Sequence, residues 1–400
     1  MWSVGTEAHC RRVAAWSGEL ARALGLAEPD RQLIEQAASE HHLPDVLSDD
    51  ASRLKLLTDL RISERPDSSD RSDLVDLLSA FHASSPGADG KFARLATLLD
   101  IGHDFDRFFE SRPFASAEEQ GASNSAVETM LSYLQITSRA DIGRVIDRLP
   151  VFPRAAQEAV RFASDPASGP RDLERAASRD QVLAASLLQT ANSAYYAHSY
   201  PISTIGHAIA YLGLDTTRKV MLAGALRVCF AAKRHQQLWN HSLEVGQVME
   251  QLAKAGGTAI HPAEAFLAGL VHDIGSLAFT LMPPIFLERF YRLTSRGCPP
   301  VAVEICLAGM CHSEVGAEAL RQWRFPEALV EAVRWHHQPE RCPSRLASLL
   351  YLGEFCTDSD EDLPSCIRLN TAQRQTGVDI RSLNKISGQQ GYLDALRFAA

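Results

Sequence analysis

The amino-acid sequence predicts an all-α fold made of two helical-bundle domains. Apolar residues recur at steps of three and four, as in Val13, Ala14 and Leu20 near the start and in Leu187 and Ala191 farther along. This spacing places apolar side chains on one face of a helix. The sequence contains no long alternation of apolar and polar residues and no Asn-Gly turn between β-rich runs, so it offers no signal for a hairpin.

The composition is that of an ordinary globular protein, with 400 residues of which 46% are hydrophobic and 22% are charged. A formal net charge of −9 argues against a broad nucleic-acid surface, which needs a basic face. The opening segment is charged too early for a signal peptide, and the most apolar stretch, 263–282, contains His272 and Asp273, which argues against a membrane span. Eight cysteines without a Cys-x-x-Cys pair favour a reducing compartment, so we expect a cytoplasmic protein.

Three polar segments interrupt the helical pattern. Residues 62–74 are charged and contain proline, which predicts an exposed loop, and residues 115–126 predict a linker. The acidic run 357–363 predicts a solvated turn before a last amphipathic segment at 393–400.

The two halves of the chain share three similar segments in the same order. HCRRVAAWSGELARAL from His9 resembles HSLEVGQVMEQLAKAG from His241, and QAASEHHL at 36–43 resembles LAGLVHDIG at 267–275. The third pair is RLATLLDIG, which ends at Gly102, and RLASLLYLG, which ends at Gly353. These matches predict a degenerate duplication of one helical module. The alternative is a chance likeness between helices rich in alanine and leucine.

The second copy contains residue types that bind metals, in the order histidine, His-Asp, histidine, His-His, acid. The seven residues are His241, His272, Asp273, His312, His336, His337 and Glu354. Imidazole and carboxylate groups suit Mn²⁺, Fe²⁺ or Zn²⁺, and such ions activate water and polarise phosphoryl oxygens. If their helices converge, these residues can form a mononuclear or dinuclear site. A purely structural network of buried polar groups is the alternative, and the two interpretations are equally open at this point.

The order of these residues resembles the HD superfamily of metal-dependent phosphohydrolases, and especially its HD-GYP branch. Four further segments are similar to the HDOD domain, a relative of these enzymes: LPVFPRAA at 149–156, SRDQVLAASLLQTANSAYY at 178–196, PISTIGHAIAYLGLD at 201–215 and WRFPEALVEAVRWHHQPE at 323–340. The resemblance covers roughly residues 140–355. It implies a bacterial signalling protein with an HD-like bundle in which regulation is more common than catalysis.

The first copy resembles an eroded HD-GYP domain. His9 matches that family's opening histidine, and GHDFDRFFESRPFASAEE at 102–119 is similar to a later segment. His42 and His103 stand where the resemblance implies aspartates. We expect the four histidines of this copy to be structural or solvated: His9, His41, His42 and His103. The resemblance therefore implies a degenerate domain at residues 1–125, a linker helix at 126–140, an HDOD domain at 141–356 and a helical extension at 357–400.

The second copy also departs from the HD-GYP pattern. The resemblance implies a phosphate-facing lysine where Ser276 stands, and a serine cannot supply that positive charge. The last carboxylate is Glu354, one methylene longer than aspartate, and the segment after His337 lacks a Gly-Tyr-Pro loop. Asn192 and Ser193 resemble the HDOD motif Asn-Ser-x-aromatic, and we interpret Asn192 as a helix-capping or helix–helix hydrogen bonder ahead of a ligand contact.

The function that these features favour is signal transduction, with the HDOD domain binding a signalling protein or a small nucleotide-type ligand without catalysis. The rival is a metal-dependent phosphohydrolase acting on a nucleotide or cyclic dinucleotide. A third interpretation is a scaffold that dimerises through apolar helices. We expect either no cofactor or one of Mn, Fe and Zn if the HD-like site is intact, no membrane partner, and a homodimer as one arrangement of the chain.

Overall fold

The computed structural model describes most of the chain as helices joined by short turns. It covers residues 4–40, 77, 91–111, 125–149, 152, 154–165, 167–193, 195–196, 201–255, 258–357 and 366–378. Within these ranges there is no β-strand, which confirms the predicted all-α class. The predicted loop at 62–74 and the segment at 393–400 lie outside them, as do most of the predicted linker at 115–126 and of the acidic run at 357–363.

The chain divides into two compact units, and the division does not follow the order of the sequence. The first unit contains Met1–Gly143 and Met282–Cys311, and the second contains Arg144–Leu281 and His312–Ala400. Residues 282–311 thus group with the N-terminal residues, although the sequence suggests that they belong to an HDOD domain at 141–356. The proposed linker at 126–140 coincides with one helix and the start of the next. The four sequential domain boundaries stay a prediction.

The helices of the first unit are α1 (Val4–Ala23), α2 (Glu28–Glu40), α3 (Lys91–Ser111), α4 (Ser125–Leu134), α14 (Pro284–Thr294) and α15 (Pro300–Ala308), and α5 (Arg139–Ile146) contains the boundary. Their core is formed by small and aliphatic side chains of α1, α2 and α3, among them Val13, Ile34 and Leu99, all fully buried. Within each helix the buried residues recur at helical spacing, so the periodicity of the sequence accounts for this core.

Charged residues attach α14 to the N-terminal helices within the first unit. Glu19 is almost fully buried, with Oε1 3.1 Å from Nε of Arg289 and Oε2 3.0 Å from Nε of Arg292. Glu35 of α2 lies 2.6 Å from Arg22 and 3.0 Å from Arg296. A buried carboxylate needs charged partners, because desolvation otherwise disfavours its ionised form. The pairs at Glu19 and Glu35 therefore explain why residues 284–296 group with the first unit.

The second unit contains the remaining helices: α6 (Arg154–Ser164), α7 (Pro170–Ala177), α8 (Gln181–Ala191), α9 (Ile205–Leu212), α10 (Leu214–Arg227), α11 (Gln236–Ala255), α12 (Pro262–Val271), α13 (Ser276–Phe279), α16 (His312–Gln322), α17 (Glu327–Trp335), α18 (Arg345–Thr357) and α19 (Cys366–Thr376). Helix α11 is central, since it packs along both α12 and α18. Buried Arg218 of α10 donates hydrogen bonds to the carbonyl oxygens of Ala163, Asp165 and Ser168, which fixes the end of α6.

A similar helix contact occurs inside each unit, and it supports the predicted internal repeat. In the first, a Cβ on Gly102 of α3 would lie 2.0 Å from Oγ of Ser17 on α1. In the second, a Cβ on Gly353 of α18 would lie 3.0 Å from the side chain of Met249 on α11. Ser17 and Met249 each follow the repeat's opening histidine by the same interval, so the glycine that ends the third segment faces the same helix position in both copies.

None of the described helices has the length and apolar character that a membrane crossing requires. This agrees with the sequence prediction for 263–282, where α12 ends at Val271 and His272 begins a turn.

We predict that Gly269→Ala destabilises the second unit. A Cβ at this position of α12 would lie 2.4 Å from Cα of Gly246 in α11, and neither backbone can move aside cheaply. The free energy of unfolding should fall by about 1–3 kcal/mol, the usual cost of overpacking. Urea denaturation followed by circular dichroism measures this change.

Gly143→Ala is the matched control, because a Cβ on Gly143 meets nothing within 4 Å. Its stability should be unchanged or higher by up to ~1 kcal/mol, since alanine favours a helix. A Gly269→Ala protein as stable as the wild type would contradict the tight packing of α11 on α12.

Candidate metal centre

The structure brings all seven predicted metal-binding residues together within the second unit. His241 lies on α11 and Glu354 on α18, whereas the other five lie where helices begin or end. His272 caps the C-terminus of α12 and is followed by Asp273, and His336 caps α17 and is followed by His337. His312 is the first residue of α16. Five helices therefore contribute to one cluster, which we call the seven-residue cluster.

A backbone contact at Gly275 positions His312 next to Asp273. A Cβ on Gly275 would lie 2.0 Å from the carbonyl oxygen of His312 and 2.5 Å from the backbone nitrogen of Gly316. Only a glycine allows the turn after α12 to approach the start of α16 so closely. The glycine that ends the His-Asp-Ile-Gly string thus brings two distant segments of sequence together.

Asp273 stands between imidazoles on two sides. Its Oδ2 atom lies 3.3 Å from Nε2 of His272 and 3.8 Å from Nε2 of His241. Its Oδ1 atom lies 3.3 Å from Nε2 of His312. The two oxygens of this carboxylate therefore face different histidines.

Glu354 occupies a similar position on the opposite side of the cluster. Its Oε1 atom lies 3.4 Å from Nε2 of His272 and 3.6 Å from Nε2 of His336. Its Oε2 atom lies 3.6 Å from Nδ1 of His337, whose Nε2 atom is 2.8 Å from Nε2 of His312. Contacts between imidazoles and carboxylates thus run continuously from His241 to His337.

Two backbone carbonyl groups fix the orientation of the most deeply buried imidazoles. Nδ1 of His272 donates to the carbonyl oxygen of Gly269 at 2.8 Å, and Nδ1 of His336 donates to that of Val333 at 2.6 Å. Nε2 of each ring then faces the cluster, and among the described residues neither atom has a hydrogen-bond partner. Buried polar atoms are rarely left unpartnered, and metal-binding histidines commonly use their second nitrogen in this way.

The donor atoms fit a divalent metal ion. Three groups of side chains each place their ligand atoms within 4.8 Å of one another: His312 with His336 and His337, His241 with His272 and Glu354, and Asp273 with His336 and Glu354. Each group could therefore hold an ion. Nitrogen ligands with carboxylate oxygens favour ions such as Zn²⁺, Mn²⁺ and Fe²⁺.

The electrostatics of the cluster make its histidines unequal. Burial opposes the charged form of His272, but the adjacent Asp273 and Glu354 outweigh it and raise the pKa of His272 well above its ordinary value. Burial lowers the pKa of His336 to about 4, and burial with the nearby His336 holds the pKa of His337 well below its usual range. These shifts favour the protonated form of His272 and the neutral forms of His336 and His337.

Both carboxylates of the cluster stay ionised despite their burial. Burial alone would raise the pKa of Asp273, but His272 and His312 hold it well below the ordinary value. Burial is likewise outweighed at Glu354, where His336 and His337 lower the pKa. Both side chains are thus in the protonation state that metal binding requires.

Solvent reaches the cluster from the side of His241 and His337. Their side chains are 28% and 20% exposed, whereas those of His272 and His336 are fully buried. An ion or a small ligand can approach from this side.

The other predicted site residues have different surroundings. Asn192 ends α8, where Nδ2 donates to the carbonyl oxygens of Leu188 and Ile202 and Oδ1 accepts from the Ile202 backbone N–H, each at 2.8 Å. This arrangement makes Asn192 a clamp between backbone segments. Ser193 follows it, with its N–H donating to Thr190. Ser276 begins α13 and is half-buried, and its N–H donates to the carbonyl oxygen of Asp273.

The first unit contains a different polar cluster around His9. Nδ1 of buried His9 lies 2.7 Å from Oδ2 of Asp106, and Arg12 donates to both oxygens of Asp106 at 2.9 and 3.1 Å. The ring of His103 lies edge-on, 5.1 Å from that of His9. This histidine–arginine–carboxylate arrangement supplies its own charge balance. His41 and His42 lie outside the described residues.

Sequence reasoning did not identify several residues that shape these two clusters. The carbonyl groups of Gly269 and Val333 were missed, although each lies three residues before its histidine at a helix end, and that spacing is a usable signal. The Arg12–Asp106 pair was also missed, because the two residues are 94 positions apart and neither belongs to a recognised metal-binding pattern.

Comparison with known proteins agrees with this fold. The family profile of the HDOD domain matches residues 149–339, so the chain carries an HDOD domain there. A curated relative, an uncharacterized protein of Treponema pallidum (strain Nichols), is 28% identical over 219 residues. That match covers 54% of this chain, and this chain spans only 43% of the length of the relative.

Two solved structures are similar to the chain. A candidate phosphohydrolase from Shewanella amazonensis SB2B is 25% identical with a TM-score of 0.52, covering 65% of this chain and 98% of that one. An HDOD domain protein with unknown function from Geobacter sulfurreducens is 23% identical with a TM-score of 0.55, covering 68% of this chain and 97% of that one. The second likeness is evidence for the fold alone.

We predict that metal binding releases a proton from His272. An ion bonded to Nε2 must displace the proton that the neighbouring carboxylates stabilise there, so the affinity for Zn²⁺ or Mn²⁺ should rise with pH near neutrality. Calorimetric titration at pH 7 in two buffers of different ionisation enthalpy measures the release, which should approach one proton per cluster. The control is His272→Gln, for which the heat of metal binding should be the same in both buffers. Equal heats in both buffers for the wild type would contradict the prediction.

Proposed function

We propose that this chain is a cytoplasmic signal-transduction protein whose HDOD domain binds divalent metal at the seven-residue cluster. The observation that carries the proposal is that the buried Nε2 atoms of His272 and His336 make no hydrogen bond and both lie within 3.6 Å of the Glu354 carboxylate. A structural polar network would be expected to satisfy such atoms. Backbone carbonyl groups hold both rings with Nε2 toward the cluster, and this orientation instead suits the binding of a metal ion.

The regulatory part of the proposal rests on the distribution of the metal-binding residues over different helices. His241 lies on α11, His312 on α16 and Glu354 on α18, and the remaining ligands lie at the ends of α12 and α17. Ligation would therefore fix the relative positions of five helices in the second unit. A ligand that binds only the folded arrangement stabilises it by about 4 kcal/mol at a thousand times its dissociation constant. The partner would be a signalling protein or a small nucleotide-type ligand that recognises the stabilised arrangement.

The second candidate function is hydrolysis of a phosphoester in a nucleotide or cyclic dinucleotide. A divalent ion held by His241, His272, Asp273 and Glu354 would polarise a phosphoryl oxygen. The name of the Shewanella relative, a candidate phosphohydrolase, favours this function as well. Ser276 speaks against it, because the residue after the His-Asp-Ile-Gly string offers no cation for a phosphate. We therefore rank regulation first.

The first unit is proposed to be a degenerate copy of the HD-GYP type without a metal. Arg12 lies next to Asp106, which also contacts His9. The guanidinium of Arg12 would therefore supply the positive charge that a metal ion would otherwise provide. This unit would then serve as a scaffold or regulatory surface. It offers a matched control for experiments on the second unit.

We predict that the wild-type protein, purified without chelator, contains Mn, Fe or Zn and melts at a higher temperature with metal than after chelation. Asp273→Ala should remove the metal and the temperature shift, because it deletes the carboxylate that faces both sides of the cluster. Elemental analysis and thermal denaturation measure the two effects. His103→Gln, which alters the first unit only, should change neither.

The same samples separate the two candidate functions. Hydrolysis of cyclic di-GMP or of a generic phosphodiester that disappears in Asp273→Ala would establish catalysis and overturn the regulatory ranking. A metal-loaded protein without that activity would support regulation. Wild-type protein that contains no metal and gains no thermal stability from added Mn²⁺, Fe²⁺ or Zn²⁺ would contradict the whole proposal.

A further inference from the structure

Four arginines of the first unit gather where α14 meets α1 and α2. They are Arg22 on α1, Arg289 and Arg292 on α14, and Arg296 just after α14, and we call them the arginine cluster. Their side chains are between 18% and 37% exposed. Guanidinium groups are permanently charged and donate to several oxygens at once. The cluster is therefore a concentration of positive charge that solvent can reach.

Two carboxylates hold the cluster together. Arg22 donates to both of them, with nitrogen–oxygen distances of 3.3 Å to Glu19 and 2.6 Å to Glu35. Nε of Arg292 lies 3.0 Å from Glu19, and Nη1 of Arg296 lies 3.0 Å from Glu35. Arg22 therefore shares one carboxylate with Arg292 and the other with Arg296, which brings the three guanidinium groups close together.

Helix packing fixes the positions of both carboxylates. A Cβ on Gly18 of α1 would lie 2.5 Å from Oε1 of Glu35, so the glycine leaves room for this side chain of α2 to approach α1. The side chain of Glu19 is only 1% exposed. Because the carboxylates are anchored in this way, the chain itself sets the positions of the arginines, and little ordering would be needed on binding a ligand.

The positive charge of the cluster exceeds its negative charge. Its four guanidinium groups face two carboxylates, those of Glu19 and Glu35, which leaves two positive charges in excess. Among the described residues, the one other acidic side chain paired with the cluster is Glu288, 3.3 Å from Arg292 and 64% exposed. Such an exposed pair contributes little. A ligand with negative charge would relieve the repulsion that remains between the arginines.

Arg296 has the most hydrogen-bond donors to spare. Its side chain is the most exposed of the four, at 37%, and pairs with Glu35 through one nitrogen. Within the described parts of the chain it makes no other ion pair or side-chain hydrogen bond. Arginine has five N–H donors, so several are available to a ligand. Gly297, with a φ of +88°, forms the turn that places Arg296 at the end of α14.

We propose that the arginine cluster binds a phosphomonoester group. Such a group carries close to two negative charges at neutral pH, which matches the excess of the cluster, and a single carboxylate would supply only one. Its oxygens accept paired hydrogen bonds from guanidinium groups, and clusters of arginines recognise phosphorylated ligands in this way. The group would belong to a small phosphorylated molecule or to a phosphorylated side chain. This site lies in the first unit and does not depend on metal binding in the second.

The test is a calorimetric titration of the whole chain with inorganic phosphate, at an ionic strength held constant with chloride. The wild type should bind phosphate and should melt at a higher temperature in phosphate than in chloride. Arg296→Gln should weaken binding by about tenfold or more, because it removes a charge and its paired donors. Arg296→Lys keeps the charge without the paired geometry, so it should also bind more weakly than the wild type. It replaces the glutamine variant if that variant does not fold.

Arg321→Gln is the matched control, since Arg321 is 38% exposed, pairs with Glu318 and Glu327, and lies in the second unit. It should bind phosphate as tightly as the wild type. Absence of phosphate binding in the wild type would overturn the proposal. Equal affinities in the wild type and both Arg296 variants, or an equal loss in Arg321→Gln, would overturn it too. Phosphate binding that depends on Arg296 in a chain without metal would contradict the proposed metal-binding function alone.

Two further titrations identify the source of the phosphate group. One uses adenosine monophosphate, and the other uses a short peptide that contains phosphoserine. Binding of the nucleotide more tightly than inorganic phosphate, again weakened in Arg296→Gln, would support a small phosphorylated ligand. The same result with the peptide would support a phosphorylated partner protein.

Discussion

The attraction between two buried carboxylates and the imidazoles around them is the constraint on which the second unit depends. Asp273 and Glu354 are ionised in a region where an unpaired charge would be strongly disfavoured. Each therefore requires several histidines within a few ångströms, and those histidines come from helices far apart in the sequence. Tight helix contacts, such as that between Gly275 and the start of α16, are the backbone condition for meeting this requirement.

The same electrostatic requirement has a different solution in the first unit. There Asp106 is partnered by the guanidinium of Arg12 and by His9, so a cation from the chain itself lies at the carboxylate. In the second unit no lysine or arginine pairs with Asp273 or Glu354 among the described ion pairs, and only imidazoles face them. An arginine cannot leave, whereas an imidazole can exchange its proton for an ion. The two clusters thus differ in whether the positive charge next to the carboxylate is permanent or exchangeable.

Much of the fold and of the site could be predicted from sequence, because both depend on local patterns. Helical periodicity identified the all-α class, and the adjacent pairs His272–Asp273 and His336–His337 identified most of the cluster. What could not be predicted depends on distant contacts. Nothing local to Glu354 indicates that its oxygens face two sets of histidines, and nothing local to Glu19 indicates its pairing with Arg289 and Arg292. Such contacts are set by how helices pack, which a pattern along the chain does not encode.

The grouping of residues 282–311 with the N-terminal helices has a consequence for biosynthesis. The buried charge of Glu19 cannot be neutralised by Arg289 and Arg292 until those residues have left the ribosome. Translation proceeds at roughly 5–20 residues per second, so the N-terminal helices would wait many seconds for these partners. During that interval Arg22, one turn along α1, is the charged partner that Glu19 has from the N-terminal helices, and the first unit cannot reach its final packing. The segment that completes the beginning of this protein is made after most of the rest.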